Sequence, residues 1–118
     1  MSTNSLDRSF AALITELEAY LPNIAYGVNL FTLTRPEVRD LAASINWVRQ
    51  LQNEAHCDPR SAEDLYDRAE EFCLLVTRAF KLRRRRLLLD DTCPADQKMA
   101  ALVAWHTASQ AVKDARSS

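Results

Sequence analysis

The side chains able to do chemistry in this chain are few. His56, Cys57, Cys73, Cys93 and His106 are the ligand-type residues, set among scattered carboxylates. None of them pair at zinc-finger spacings, and no Glu-x-x-His occurs that could build a carboxylate-bridged di-metal site, so no metal and no cofactor is expected. His56 falls at the C-terminal end of a helix, where an imidazolium suits the negative dipole end. His106 is expected as a hydrogen-bonded core residue on the apolar face of the last helix. Three cysteines are an odd number and form no C-x-x-C pair, which argues against a disulfide scaffold. Catalytic motifs are missing too: there is no glycine-rich phosphate loop and no G-x-S-x-G elbow, and Gly27 is the sole glycine. Glu70-Glu71 and Asp90-Asp91 are neighbours in sequence, so on a helix they point about 100° apart and read as solvated charge. No catalytic residues are assigned, and the chain is not expected to be an enzyme.

One local feature invites a different chemistry. Between Phe72 and Leu89 stand six basic residues and no acid, ending in Arg83, Arg84, Arg85 and Arg86, a cluster that could meet an anionic partner. The preceding stretch, Asp58 to Glu71, holds six acids against Arg60 and Arg68. A helix acidic at its start and basic toward its end matches the macrodipole, which is the simpler explanation. The formal net charge of −1 also disfavours a phosphate-gripping domain, so nucleic acid is not the expected partner.

The elements that must position these residues are helical. With 118 residues, 47% hydrophobic and 26% charged, the chain suits one core of ordinary size, a single helical domain over 1–118. Leu6, Phe10, Leu13, Ile14, Leu17 and Leu21 recur at helical spacing and predict a helix over 5–21, stopped by Pro22. Thr34-Arg-Pro-Glu37 fits a capping box, opening a helix over 34–56 with Leu41, Ile45, Val48 and Leu51 inward. Ser61-Ala-Glu-Asp64 repeats the signature for a helix over 61–90, whose stripe is Leu65, Ala69, Phe72, Val76, Ala79 and Phe80. A fourth helix over 94–115 carries Met99, Leu102, Val103 and His106 on one face. The expected fold is all-α: a four-helix up-and-down bundle or an intertwined helical dimer. No apolar run approaches a membrane span and no signal peptide is evident, so the protein is expected in the cytoplasm, with no membrane partner.

Some apolar residues fall where a monomer does not need them. The link over 22–33 carries Ile24, Tyr26, Val28, Leu30 and Phe31, unusual for a connection. Trp47 lies well off the stripe of its helix, with Leu51 one turn away. Leu30, Phe31, Trp47 and Leu51 are therefore the expected contact patch for a protein partner. On the third helix, Arg83 returns to the direction of Leu65, so the intramolecular core is expected to end near Leu82. Two copies crossing antiparallel would set acidic half against basic half, which predicts a homodimer. Leu87 and Leu88, together with the small-residue seam Ala101, Ala104, Ala108 and Ala111, are the expected dimerisation residues.

At Leu30-Phe31 and Ile45-Asn46-Trp47 the pattern resembles the QslA-like group of small all-helical bacterial anti-activators that bind LuxR-type quorum-sensing regulators. The resemblance covers the first half of the chain. It implies a non-catalytic dimer that blocks a transcription regulator by occupying the surface the regulator needs for its own dimerisation. Two other functions fit the same composition: a small nucleic-acid-associated protein using the Arg83 to Arg86 cluster, and a phage or plasmid inhibitor of a host complex.

Overall fold

The computed structural model describes residues 2–117, with side chains described at all of them except 2, 3, 4 and 24. The fold is all-α, as the periodicity predicts. Among the described residues there are four long helices: α1 (Ser2–Glu18), α2 (Arg35–Cys57), α3 (Ala62–Leu88) and α4 (Ala95–Ser117). None is long and apolar enough to cross a membrane. Contacts gather into two compact units, one up to Cys73 and one from Leu74 onward.

In the first unit the expected stripes become the core. Phe10 and Leu17 of α1, Ile45, Val48 and Leu51 of α2, and Leu65, Ala69 and Phe72 of α3 are all buried. Phe10 meets the Tyr66 ring edge-on at 5.3 Å between centroids. Polar contacts tie both ends of α1 to α2. Gln52 Nε2 donates to Asp7 Oδ1 at 2.8 Å, His56 Nε2 lies 2.8 Å from the same oxygen, and Arg49 meets Glu18 at 2.8 Å. The buried Ser44 hydroxyl is satisfied by donating to the Asp40 carbonyl at 3.0 Å.

The capping box at Thr34 forms as expected. Glu37 N donates to Thr34 Oγ1 at 3.4 Å, and Thr34 N donates to Glu37 Oε1 at 2.9 Å. At the start of α3 the Ser61 hydroxyl, expected as a cap, donates to Asp58 Oδ2 at 2.9 Å. α1 ends at Glu18, before Leu21, because the chain tightens there: Tyr20 N donates to Leu17 O and Leu21 N to Glu18 O.

The second unit departs from expectation in an instructive way. α3 is one continuous helix of 27 residues through Arg83 to Arg86, and Arg83 is only 3% exposed. The core therefore does not end near Leu82. The guanidinium carbon of Arg83 lies 4.5 Å from the centroid of the Trp105 ring, and that of Arg86 lies 5.2 Å from it. A planar, weakly hydrated guanidinium can lie on an indole face where an ammonium would lose its water. That pairing also sets the roll of α4. Met99, Val103 and His106, expected inward, are exposed, while Leu102 and Trp105 are half-buried and Val112 is buried. His106 is thus not a core histidine.

Two measurements test these contacts. Trp105→Ala should cost about 3 kcal/mol in denaturant unfolding, since it strips the aromatic cover from a buried guanidinium. Hydrogen bonds from Gln52 and then His56 hold the Asp7 carboxyl below its usual value of 3.8. A depressed carboxyl contributes stability above its unfolded pKa and loses it as pH falls through the folded one. Asp7→Asn should therefore flatten the acid limb of the stability curve below pH 3.8, while above that pH it lowers stability without changing the slope.

Candidate protein-binding surface

The link between α1 and α2 belongs wholly to the first unit and is an ordered structure. Asn23 and Val28 face each other as an isolated antiparallel bridge, with Asn23 N donating to Val28 O at 2.7 Å and Val28 N to Asn23 O at 2.9 Å. A single 3-10 turn, Ile24–Tyr26, fills the loop they close. Gly27 completes it at φ +64, the left-handed region that glycine enters without a Cβ penalty. Further on, the Asn29 side chain clamps Leu33 from both sides: Leu33 N donates to Oδ1 and Nδ2 donates to the Leu33 carbonyl, each at 3.0 Å. Thr32 between them sits at φ 47, a conformation costing a β-branched residue about 1–3 kcal/mol, and the clamp holds it there.

This scaffold turns apolar side chains outward. Tyr26 is 81% exposed, Leu30 is 78% exposed, and Val28 is also exposed. Leu30, Phe31, Val28 and Tyr20 line one shallow hollow, and Phe31 is held in it by an edge-on contact with the Tyr20 ring at 5.6 Å. Ile24, expected in the same apolar link, has its side chain outside the described residues.

The other half of the expected patch lies elsewhere. Leu51 is 4% exposed and is a core residue, not a contact residue. Trp47 is half-buried. Although it stands off the stripe of α2, its ring is tall enough to reach α3, where it packs on Phe72 at 4.6 Å between centroids, with Arg68 at 5.8 Å from its own centroid. Neither residue lines the hollow beside Leu30 and Phe31. Tyr26 and Val28 take their place in the candidate surface. Their signal in the sequence was adjacency to Gly27, the one residue free to turn the chain at the tip.

The expected dimerisation residues also divide. Leu87 and Leu88 are exposed. Ala101, Ala104, Ala108 and Ala111 are half-buried, and the first two line a hollow with Leu82, Arg85 and Leu89, so that part of the seam faces the chain's own α3. Of the expected anionic-partner residues, Arg84 and Arg85 are exposed, whereas Arg83 is buried and Arg86 half-buried over Trp105. The cluster is therefore split, and its outward half is too small to act as the four-arginine site the sequence suggests.

Chemistry elsewhere is muted. Among the described residues no three His, Cys, Asp or Glu side chains converge as a metal site. Cys73 is buried, and desolvation, reinforced by Glu16 and Glu70, pushes its thiol up to about 12. Such a thiol stays protonated and unreactive at neutral pH. The Cys93 thiol donates to Gln97 Oε1 at 3.2 Å. No family model matches this chain, and comparison with curated proteins and with solved structures gives no match either.

Because no atom lies within 4 Å of where a Cβ on Gly27 would stand, its replacement is penalised by backbone conformation alone. Gly27→Ala should lower stability by ~1–2 kcal/mol in chemical denaturation, with no added steric cost.

Proposed function

We propose that this chain is a non-catalytic regulatory protein that docks on another protein through the 22–33 link. The observation that carries this reading is the exposure of Tyr26 and Leu30 on a loop whose backbone is already closed by hydrogen bonds. Tyrosine and large aliphatic side chains on a pre-ordered loop offer apolar area to a partner without the entropy cost of ordering the loop on binding. The likeness at Leu30-Phe31 and Ile45-Asn46-Trp47 to anti-activators of LuxR-type regulators suggests the form this takes: inhibition of a transcription regulator by covering its dimerisation surface. In this reading Leu30 and Phe31 contact the regulator, while Trp47 acts from beneath, fixing α2 against Phe72.

The test pairs a double variant, Tyr26→Ala with Leu30→Ala, against the wild-type chain in affinity capture from the native cell, followed by titration of the captured protein. Both side chains are exposed, so the variant should unfold with the wild-type midpoint and bind its partner at least about tenfold more weakly. Undiminished binding by this variant would remove the link from the interface. Binding that collapses as salt rises would instead favour an anionic partner, since apolar contacts are little screened.

A further inference from the structure

α3 presents an exposed row whose residue types are arranged about a centre. On one face the exposed positions recur every three or four residues: Glu63 and Asp64, Asp67, Glu70 and Glu71, Leu74, Arg78, Lys81, Arg84 and Arg85, then Leu88, while Arg68 and Leu87 are exposed to the side of this face. Leu74, 64% exposed, stands at the middle of the row, with acids on one side and bases on the other. Counting outward from it, Glu70 and Arg78 are equidistant, as are Asp67 and Lys81, Asp64 and Arg84, and Glu63 and Arg85. All of these residues lie on one continuous helix.

The macrodipole does not account for this pattern. Its influence falls off within the first and last turn, which covers Glu63, Asp64 and Arg85 but not Asp67, Glu70, Glu71, Arg78 or Lys81. Within the helix the pattern is unfavourable. Glu63 with Asp67, Asp67 with Glu71, and Lys81 with Arg85 are like charges one turn apart, where they repel. Among the described residues none of these side chains forms an ion pair within the chain. Along this face the helix therefore carries an acidic block, with Arg68 at its flank, followed by a basic block.

We propose that α3 pairs antiparallel with α3 of a second copy of this chain, about a two-fold axis through Leu74. In that register Leu74 meets its own counterpart, and each of the four acids Glu63, Asp64, Asp67 and Glu70 meets a base of the other copy. Each pairing occurs twice, as an isologous contact requires. Glu71 opposes Thr77, and Arg68, engaged over Trp47, stays out of the ladder. The paired row from Glu63 to Arg85 is roughly 33 Å long at 1.5 Å per residue. With a single leucine at its centre and charge on either side, the association is electrostatic and sensitive to salt. Leu87, Leu88 and the α4 alanines are not needed for it, and it does not depend on the docking function of the 22–33 link.

Sedimentation analysis of the full chain tests the register directly. At about 0.1 M salt, where screening extends over ~10 Å, the wild type should dimerise, and at about 1 M, where it extends over ~3 Å, the dimer should dissociate. Asp67→Lys alone and Lys81→Glu alone each place like charges opposite one another twice, and each should weaken self-association at least about tenfold. Mixing the two single variants in equal amounts should restore a dimer, because the heterodimer again matches opposite charges at both positions. The double variant Asp67→Lys with Lys81→Glu should restore it within one chain. The substituted sites are exposed, so helicity by circular dichroism should be unchanged in every case. A wild type that is monomeric in low salt at on the order of 100 micromolar, dimers indifferent to both single changes, or single variants that fail to complement on mixing would each overturn the proposal.

Discussion

The burial of a guanidinium is the constraint on which the second half of the molecule depends. Arg83 occupies a position on α3 where the stripe begun by Leu65 and continued by Phe72, Val76 and Ala79 would call for an apolar residue. A buried charge is costly unless something replaces its water, and Trp105 offers an aromatic face to both Arg83 and Arg86. The arrangement lets α3 continue as a helix past the last aliphatic core position and determines which face of α4 turns inward. The same rotation leaves Met99 and Val103 in solvent.

The first unit solves an opposite problem. Its core is complete with aliphatic and aromatic side chains, and the apolar residues left over are collected in the 22–33 link. A loose loop of that composition would collapse onto any nearby apolar surface. Two local hydrogen-bonded closures, Asn23 with Val28 and Asn29 with Leu33, fix the backbone there, and Tyr26, Val28 and Leu30 stand exposed on it. Thr32, held at positive φ, is where strain accumulates as a result. The cost falls on Thr32 rather than on Tyr26, Val28 or Leu30, none of which is at positive φ.

Much of this was legible from residue spacing. The capping box at Thr34, the stripes of α1, α2 and the first half of α3, and the breaks at Pro22, Asp58-Pro59 and Pro94 all carry strong local signals, and the helix bounds follow them closely. What escaped was decided by side-chain shape. Arg83 counts as polar in any hydrophobicity pattern, but its stem and planar head pack like an apolar group once an indole lies opposite. α4 is so rich in alanine that two of its faces are almost equally apolar, and nothing within it says which one packs. Trp47 was expected to be available for contact because of its direction on the helical wheel, but a ring of that length reaches sideways to Phe72. The link was recognisable as apolar, yet its closure depends on asparagine side chains bonding to backbone a few residues away, which composition does not reveal.

The 22–33 link and the exposed row of α3 present different chemistry, and the two obey different physics. The link offers apolar area on a pre-ordered backbone, whose attraction is short-ranged and barely responds to salt. The exposed row of α3 offers long-range, signed and screenable attraction that distinguishes one orientation from its reverse. In the proposed pairing Leu74 stands at the centre of the charge pattern, where reversal of a copy would bring it back onto itself.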